Sequence, residues 1–271
     1  MMKFGIVLPT YGPYCKKEFA KKAAIEAEKN GFDSLLVWDH YMLPYGKKTF
    51  DSYILLSYLA AETDRIKLGT CVTPLPFRNP AVLAKMISSL DILSCGRTII
   101  GIGAGWSREE FEGYSTWDGA GVRVRKTEEA LKLMIKLWTE ERVNFEGDFY
   151  SASGAVLEPK TVQKPHPPLW VGSTGKKMLK LAAEYGSGWI PIDISADLYG
   201  KYATILRNLL RKKDNFVFSF VDWPRKGAEL ETRIEEFRRA GCEYYCAILR
   251  KNKKEALEQL DELAELKNRF R

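Results

Sequence analysis

The sequence predicts an α/β chain, a (β/α)8 barrel with an excursion between strands four and five. Two observations carry this: eight short β-type runs alternate with amphipathic helical stretches, and they do so over 271 residues. Eight βα units in a chain of that length match the size of such a barrel. An open doubly wound sheet would alternate too, and strand number alone leaves it open. No proline- or serine-rich linker interrupts the chain, so residues 1–271 are read as a single domain.

The strand candidates are Phe4–Leu8, Ser34–Trp38, Ile66–Val72, Thr98–Gly103, Leu169–Gly172, Gly188–Pro191, Phe216–Val221 and Tyr244–Leu249. Between them, apolar residues recur at i, i+3 and i+4, the spacing of a helix with one buried face. After strand three, Asn79 suits the N-cap and Pro80 the first helical position. Val82, Leu83, Met86, Ile87, Leu90 and Leu93 form the stripe, and Gly96 marks the stop. Leu230, Ile234 and Phe237, closed by Gly241, describe the helix before strand eight. Ala256, Leu257, Leu260, Leu263, Ala264 and Lys267 describe the last helix. From Gly105 to Pro168 the rhythm breaks. A polar loop, a helix around Arg125–Thr139 and a hairpin through Val143–Tyr150 make a connection longer than ordinary βα loops, suited to covering a site.

Composition narrows the function classes. Lys and Arg (42) exceed Asp and Glu (35) by seven, giving a net charge of +7, which favours anionic ligands. The charges are interspersed along helices, as in Lys126–Glu129, and no zinc-finger or ribonucleoprotein signature accompanies them, so nucleic acid is not expected. No apolar run approaches the roughly 20 residues needed to span a bilayer, so no membrane partner is expected. Five cysteines without a C-x-x-C motif argue against a disulfide framework, consistent with a cytoplasmic protein. His40 and His166 are far apart, and no metal site follows from spacing.

In a parallel barrel the C-terminal strand ends carry the chemistry. Strand two delivers Trp38–Asp39–His40. His40 is either a strand-end histidine satisfied by backbone or a proton donor and acceptor beside a reacting centre. Asp39 should face away from it, because successive strand residues point to opposite sides. His166, between Pro165 and Pro167, reads as a rigid turn residue. Gly172–Ser173–Thr174–Gly175 precedes a helical run, where backbone N–H groups attract a phosphate, although many helices begin this way without one. Gly101-x-Gly103-x-Gly105 lacks the spacing of a dinucleotide fingerprint.

Taken together, Trp38–Asp39–His40, Leu68–Gly69–Thr70, Asn79–Pro80–Ala81, Gly101-x-Gly-x-Gly-Trp106 and Glu110–Phe111 resemble the luciferase-like flavin and deazaflavin oxidoreductase superfamily. Its methylenetetrahydromethanopterin reductase-like branch is the nearest in pattern. Leu137–Trp138, Phe145–Glu146–Gly147, Pro159–Pro165, Pro167–Gly172 and Gly186–Ser187–Gly188–Trp189 continue the match, with Ser187 where aspartate is common.

The resemblance implies a luciferase-like barrel that holds coenzyme F420, or alternatively FMN, at its C-terminal mouth and transfers a hydride to or from a small organic substrate. An FMN-dependent monooxygenase and a non-catalytic flavin- or deazaflavin-binding protein are the alternatives. It further implies that His40 is catalytic, that Gly172, Ser173, Thr174 and Gly175 receive the cofactor phosphate, and that Asp39, Thr70, Cys71, Val72, Gly103 and Ala104 surround the ring system. Trp38 and Trp106 would wall the substrate pocket. A non-prolyl cis peptide would fall at Cys71–Val72, with Cys71 serving through its backbone rather than as a nucleophile, and the protein would be a homodimer. Pro44 and Trp106 depart from the tryptophan and acidic residue of sugar-phosphate-oxidising members. The chain is also shorter than many luciferase-like proteins, which implies a lean substrate cover.

Overall fold

A computed structural model describes residues 2–43, 46–210, 215–250 and 252–270; Pro44, one of the two departures above, lies outside them. The elements run β1 (Lys3–Leu8), α1 (Lys17–Lys29), β2 (Ser34–Val37), α2 (Ser52–Ala61), β3 (Lys67–Pro74), α3 (Pro80–Leu93) and β4 (Thr98–Gly103). The excursion follows with α4 (Arg108–Tyr114), α5 (Ala120–Thr139), β5 (Val143–Glu146) and β6 (Ser151–Ala155). The chain then continues through β7 (Leu169–Val171), α6 (Lys176–Tyr185), β8 (Gly188–Trp189), α7 (Ala196–Leu210), β9 (Val217–Asp222), α8 (Gly227–Arg239), β10 (Tyr244–Ile248) and α9 (Lys253–Phe270).

Eight of these strands close a barrel in the order β1-β10-β9-β8-β7-β4-β3-β2, every pair parallel, while β5 and β6 form a separate antiparallel hairpin. Closure, sealed where Val7 pairs with Ile248, excludes the open sheet. All eight expected strands are present. Each is short and apolar because helices cover one face and barrel contents the other, so no polar alternation is needed. Phe220 of β9, for example, stacks on Phe237 of α8 with ring centres 3.7 Å apart.

Local chemistry sets the helix starts. The Asp51 carboxylate accepts from the Tyr53 and Ile54 N–H groups to cap α2, and the Asn79 side chain caps α3 through Ala81 and Val82, with Pro80 following. Beyond α3, Gly96 has φ of 78°, the left-handed turn that glycine tolerates.

Three expectations need correction. The stripe on α3 is narrower than its spacing suggests: Leu83, Ile87 and Leu90 are buried where the helix packs among α5, α2 and β4, whereas Val82 and Leu93 are exposed. The excursion helix begins at Ala120, one turn and more before Arg125. Its first turn is held by a local contact, the Arg123 guanidinium lying 3.8 Å from the centre of the Trp117 ring, which offsets the poor propensity of Gly121. The hairpin also extends further, with its second strand at Ser151–Ala155, because residues 148–150 form the turn. The Glu129 carboxylate of α5 accepts from the N–H groups of Asp148, Phe149 and Tyr150 and holds that turn in place.

Candidate active site

Just beyond the C-terminal end of β2 the chain delivers two adjacent side chains, Asp39 and His40, to different partners. Asp39 is buried and forms a bidentate ion pair with Arg78, both N···O distances being 2.7 Å, while the Ser52 hydroxyl donates to the same carboxylate. Arg78 also lies over the rings of Tyr41 and Tyr53. Both carboxylate oxygens are therefore engaged within the protein. The fork-to-fork geometry ties the Asp39 carboxylate to Arg78 and holds the chain just beyond β2 in place.

His40 takes the other direction. Its Nδ1 lies 2.9 Å from Oε2 of Glu110, which α4 supplies from the excursion. Oε1 of that same carboxylate accepts from the Tyr41 N–H at 2.5 Å and the Met42 N–H at 3.3 Å. Glu110 is almost wholly buried, whereas His40 retains 15% of its side-chain exposure. Trp38 and Trp106 approach the imidazole edge to face, at 6.3 and 5.6 Å between ring centres. Trp38 in turn stacks on Tyr11 at 5.4 Å and meets Trp223, from the end of β9, at 6.0 Å. Trp106 and Trp223 are largely exposed, so the mouth carries an aromatic rim around one imidazole.

The floor of the mouth is built by β3, β4 and β7. The Cys71–Val72 peptide is cis, and the β3–β4 register shifts at that point, between Thr70 and Thr73. The Val72 side chain lies against the adjoining glycines: a Cβ on Gly103 would come within 2.8 Å of it, and one on Gly172 within 2.7 Å. Thr70 donates to the Gly101 carbonyl and accepts from Thr73, whose hydroxyl meets that of Tyr53 at 2.9 Å. Burial pushes the Cys71 thiol up to about 12, which keeps it protonated and unreactive. Ala104 is partly buried beside this floor.

On the neighbouring side, Gly172, Ser173 and Thr174 are half-buried and lead to α6. Gly175 occupies the N-cap without a side-chain hydrogen bond, and the first turn holds no acidic residue but Lys176 and Lys177. The Ser173 carbonyl accepts from the Trp189 indole N–H at 2.7 Å, and its hydroxyl accepts from the Gly175 N–H, leaving its proton free to donate. An uncapped helix N-terminus with two lysines and a spare hydroxyl donor is suited to an anion.

The structure thus brings together residues read separately in the sequence: His40, Trp38 and Trp106 on the rim, Thr70–Val72, Gly103 and Ala104 in the floor, and Gly172–Gly175 beside it. His166 precedes β7 and so lies at the opposite end of the barrel, against Trp138. Glu110 was not identified by sequence reasoning as a site residue, although it stands in a quoted motif; nothing in its spacing ties it to His40. Among the described residues, no cluster of three or more histidine, cysteine or acidic side chains is arranged to hold a metal ion. An open groove of about 920 Å³ between α7 and α8 lies on the flank, and none of the mouth residues line it.

A family model described as luciferase-like monooxygenase matches residues 2–266. The chain belongs to this family. In sequence it is similar to an F420-dependent glucose-6-phosphate dehydrogenase of Intrasporangium calvum, 36% identical over 173 residues, which cover 61% of this chain and 51% of that protein. It is also similar to an FMNH(2)-dependent dimethylsulfone monooxygenase of Pseudomonas putida, 29% identical over 174 residues, covering 64% and 47%. The chain spans about half the length of these relatives. Among solved structures, an F420-dependent secondary alcohol dehydrogenase in complex with an F420–acetone adduct superimposes with a TM-score of 0.83 at 22% identity, covering 98% of both chains. That likeness establishes the luciferase-like barrel.

Proposed function

We propose that this luciferase-like protein is an F420-dependent oxidoreductase that moves a hydride between the deazaflavin and a small organic substrate, with His40 handling the accompanying proton. The observation that carries this reading is His40, set by Glu110 at the edge of a glycine floor and enclosed by Trp38 and Trp106. The residues fit the cofactor. Gly103 and Gly172 leave room only for Val72, so no side chain of theirs stands above the floor, and the start of α6 offers N–H groups, Ser173 and two lysines to a phosphate.

When bound, a deazaflavin supplies the two-electron hydride chemistry. The protein's own share is placement and proton handling. Thr70 through its hydroxyl, Cys71 through its backbone and Val72 through its side chain make the floor; Gly172–Gly175 anchor an anionic tail; Trp38 and Trp106 exclude water from the space before His40. The Nε2 atom of His40, not engaged by Glu110, gives or takes the substrate proton. Because the rim is aromatic, it favours an uncharged alcohol or carbonyl compound. Relatives named for F420 outnumber the FMN-dependent one among the most similar sequences, which supports the order of the two cofactors.

The second reading, an FMN-dependent monooxygenase, is favoured by the dimethylsulfone monooxygenase relative. Titration of the purified protein separates the two. Tight F420 binding with no oxygen uptake supports the first; FMN preference with oxygen uptake from reduced flavin supports the second and overturns the first. We also read the protein as cytoplasmic and homodimeric. Free cysteines accord with a reducing compartment, and the exposed Ile54, Val82 and Leu93 on α2 and α3 offer an apolar surface for a second copy. Among the described residues, no helix is long and apolar enough to cross a membrane.

A further inference from the structure

We infer that Glu110 is a positioning residue that fixes the tautomer of His40, so that the neutral imidazole carries its proton on Nδ1 and presents a bare Nε2 to the substrate. The inference rests on the oxidoreductase reading for its consequence and on hydrogen-bond geometry for its content.

A neutral imidazole has one donor and one acceptor nitrogen, and the partner of one decides the role of the other. Nδ1 of His40 faces Oε2 of Glu110 at 2.9 Å, and a carboxylate can only accept. Oε1 is occupied by two backbone donors, Tyr41 and Met42, so the carboxylate is held against rotation and its charge is matched by donors. Almost complete burial keeps water from competing for it. The backbone contacts come from the residues immediately after His40. The single carboxylate therefore sets both the loop that carries the imidazole and the ring within it.

The consequence is directional. Oxidation of an alcohol removes a carbinol hydrogen as hydride, for which a bound deazaflavin would be the acceptor, and a hydroxyl proton, which needs a base. A bare Nε2 takes that proton and leaves an imidazolium whose Nδ1–H still donates to Glu110. In the reverse direction the imidazolium returns the proton to the carbonyl oxygen as hydride arrives at carbon. Neither direction asks Glu110 to change protonation.

Glu110→Gln makes the inference testable, because glutamine has the same shape but only one accepting oxygen. The two backbone N–H groups can be met only by that oxygen, which turns the amide NH2 toward Nδ1. Nδ1 must then accept, and the proton moves to Nε2. The test is 15N NMR of the cofactor-free full-length protein at alkaline pH, where pyrrole-type and pyridine-type ring nitrogens are well resolved. With two histidines in the chain, His166→Asn leaves the His40 signals alone. Wild-type protein should show the Nδ1–H form and Glu110→Gln the Nε2–H form. Alcohol oxidation by the F420-loaded variant should fall at least tenfold in kcat with little change in KM. An Nε2–H tautomer in the wild-type protein, which needs no variant to detect, would overturn the inference. So would an unchanged tautomer in folded Glu110→Gln. Because the NMR requires no cofactor, a correct tautomer in a protein that fails to bind F420 rejects the proposed function and leaves the dyad standing.

Discussion

His40 and Glu110 are 70 residues apart in sequence and 2.9 Å apart in the structure. The pairing depends on α4 standing over the end of β2, and aromatic packing holds it there. Phe111, the residue after Glu110, packs edge to face on Phe77 with ring centres 4.9 Å apart and on Trp117 at 5.6 Å. Tyr41, the residue after His40, closes on Phe77 from the other side at 4.9 Å. The excursion thus reaches back to the site through apolar contacts that flank a single polar one.

Replacement of His40 tests the proton role directly. His40→Ala should lower kcat by about 10²–10⁴-fold, the usual contribution of a positioned acid–base group. F420 affinity should stay within a few fold, since floor and phosphate loop are untouched. Equal losses in binding and turnover, measured by titration and steady-state assay, would move His40 from catalysis to cofactor binding.

The neighbouring Asp39 should instead report on stability. Arg78 and Asp39 are both buried, so removing one leaves the other's charge unpaired in the interior, at a cost of roughly 3–5 kcal/mol. Arg78→Ala is expected to lose that amount in urea unfolding. Arg78→Met combined with Asp39→Asn should recover part of it, and no recovery in the double variant would show that the pair is not the source of the loss.

How much of this was legible in the sequence follows from which interactions are local. The strands could be read because parallel barrel strands are short apolar runs, and even two-residue β8 is marked by Gly188–Trp189. Asn79 and Pro80 could be read because a cap bonds to its own helix. The expectation that Asp39 and His40 point apart also holds, although both lie just past the end of β2. The partner of each could not be read. Arg78 and Glu110 reach these side chains across the fold, and whether a given Arg or Glu does so depends on where its helix lands. The extent of the hairpin failed for the same reason: Glu129 determines it from another element.

The cysteines offer a pH-dependent check. Burial pushes Cys71 and Cys242 up to about 12, and Cys246 well above its ordinary value. A thiol raised in the folded state stabilises fully below its unfolded value near 9, and that contribution is lost progressively as pH rises above it. Unfolding free energy should therefore fall from about pH 9 upward. At about pH 8 a thiol reagent should label exposed Cys95 in the native protein, buried Cys242 and Cys246 only after denaturation, and partly buried Cys71 more slowly than Cys95. Rapid labelling of Cys71 in the folded state would contradict its role as inert floor.

The floor itself can be tested by crowding and relief. Gly172→Ala would place a Cβ 2.7 Å from Cγ1 of Val72 and 3.2 Å from the Ile190 carbonyl, so Val72 must shift. Overpacking of this kind costs about 1–3 kcal/mol. The shift should also weaken F420 binding by tenfold or more, because the ring would rest on a displaced side chain. Val72→Ala removes the Cγ atoms and should restore affinity in the double variant, a coupling expected only of residues in contact. Additive losses would place Val72 and Gly172 apart in function.

The start of α6 provides the test of the anionic end. Each lysine in its first turn is worth about 0.3–1 kcal/mol to a nearby anion at low salt, by the magnitude of charge effects at helix ends. Lys176→Glu with Lys177→Glu reverses both charges and should weaken F420 and FMN alike by at least tenfold, because both cofactors carry phosphate. The same reversal favours the helix itself, since acidic residues complement its N-terminal dipole, so thermal stability should hold or rise. Binding and stability are thus expected to move in opposite directions, which separates a lost anion site from a damaged fold. The wild-type affinity should also fall with added salt, and the variant's should fall less. If cofactor affinity is unchanged in the doubly reversed protein, the phosphate is held elsewhere, and Gly172–Gly175 are no more than the start of a helix.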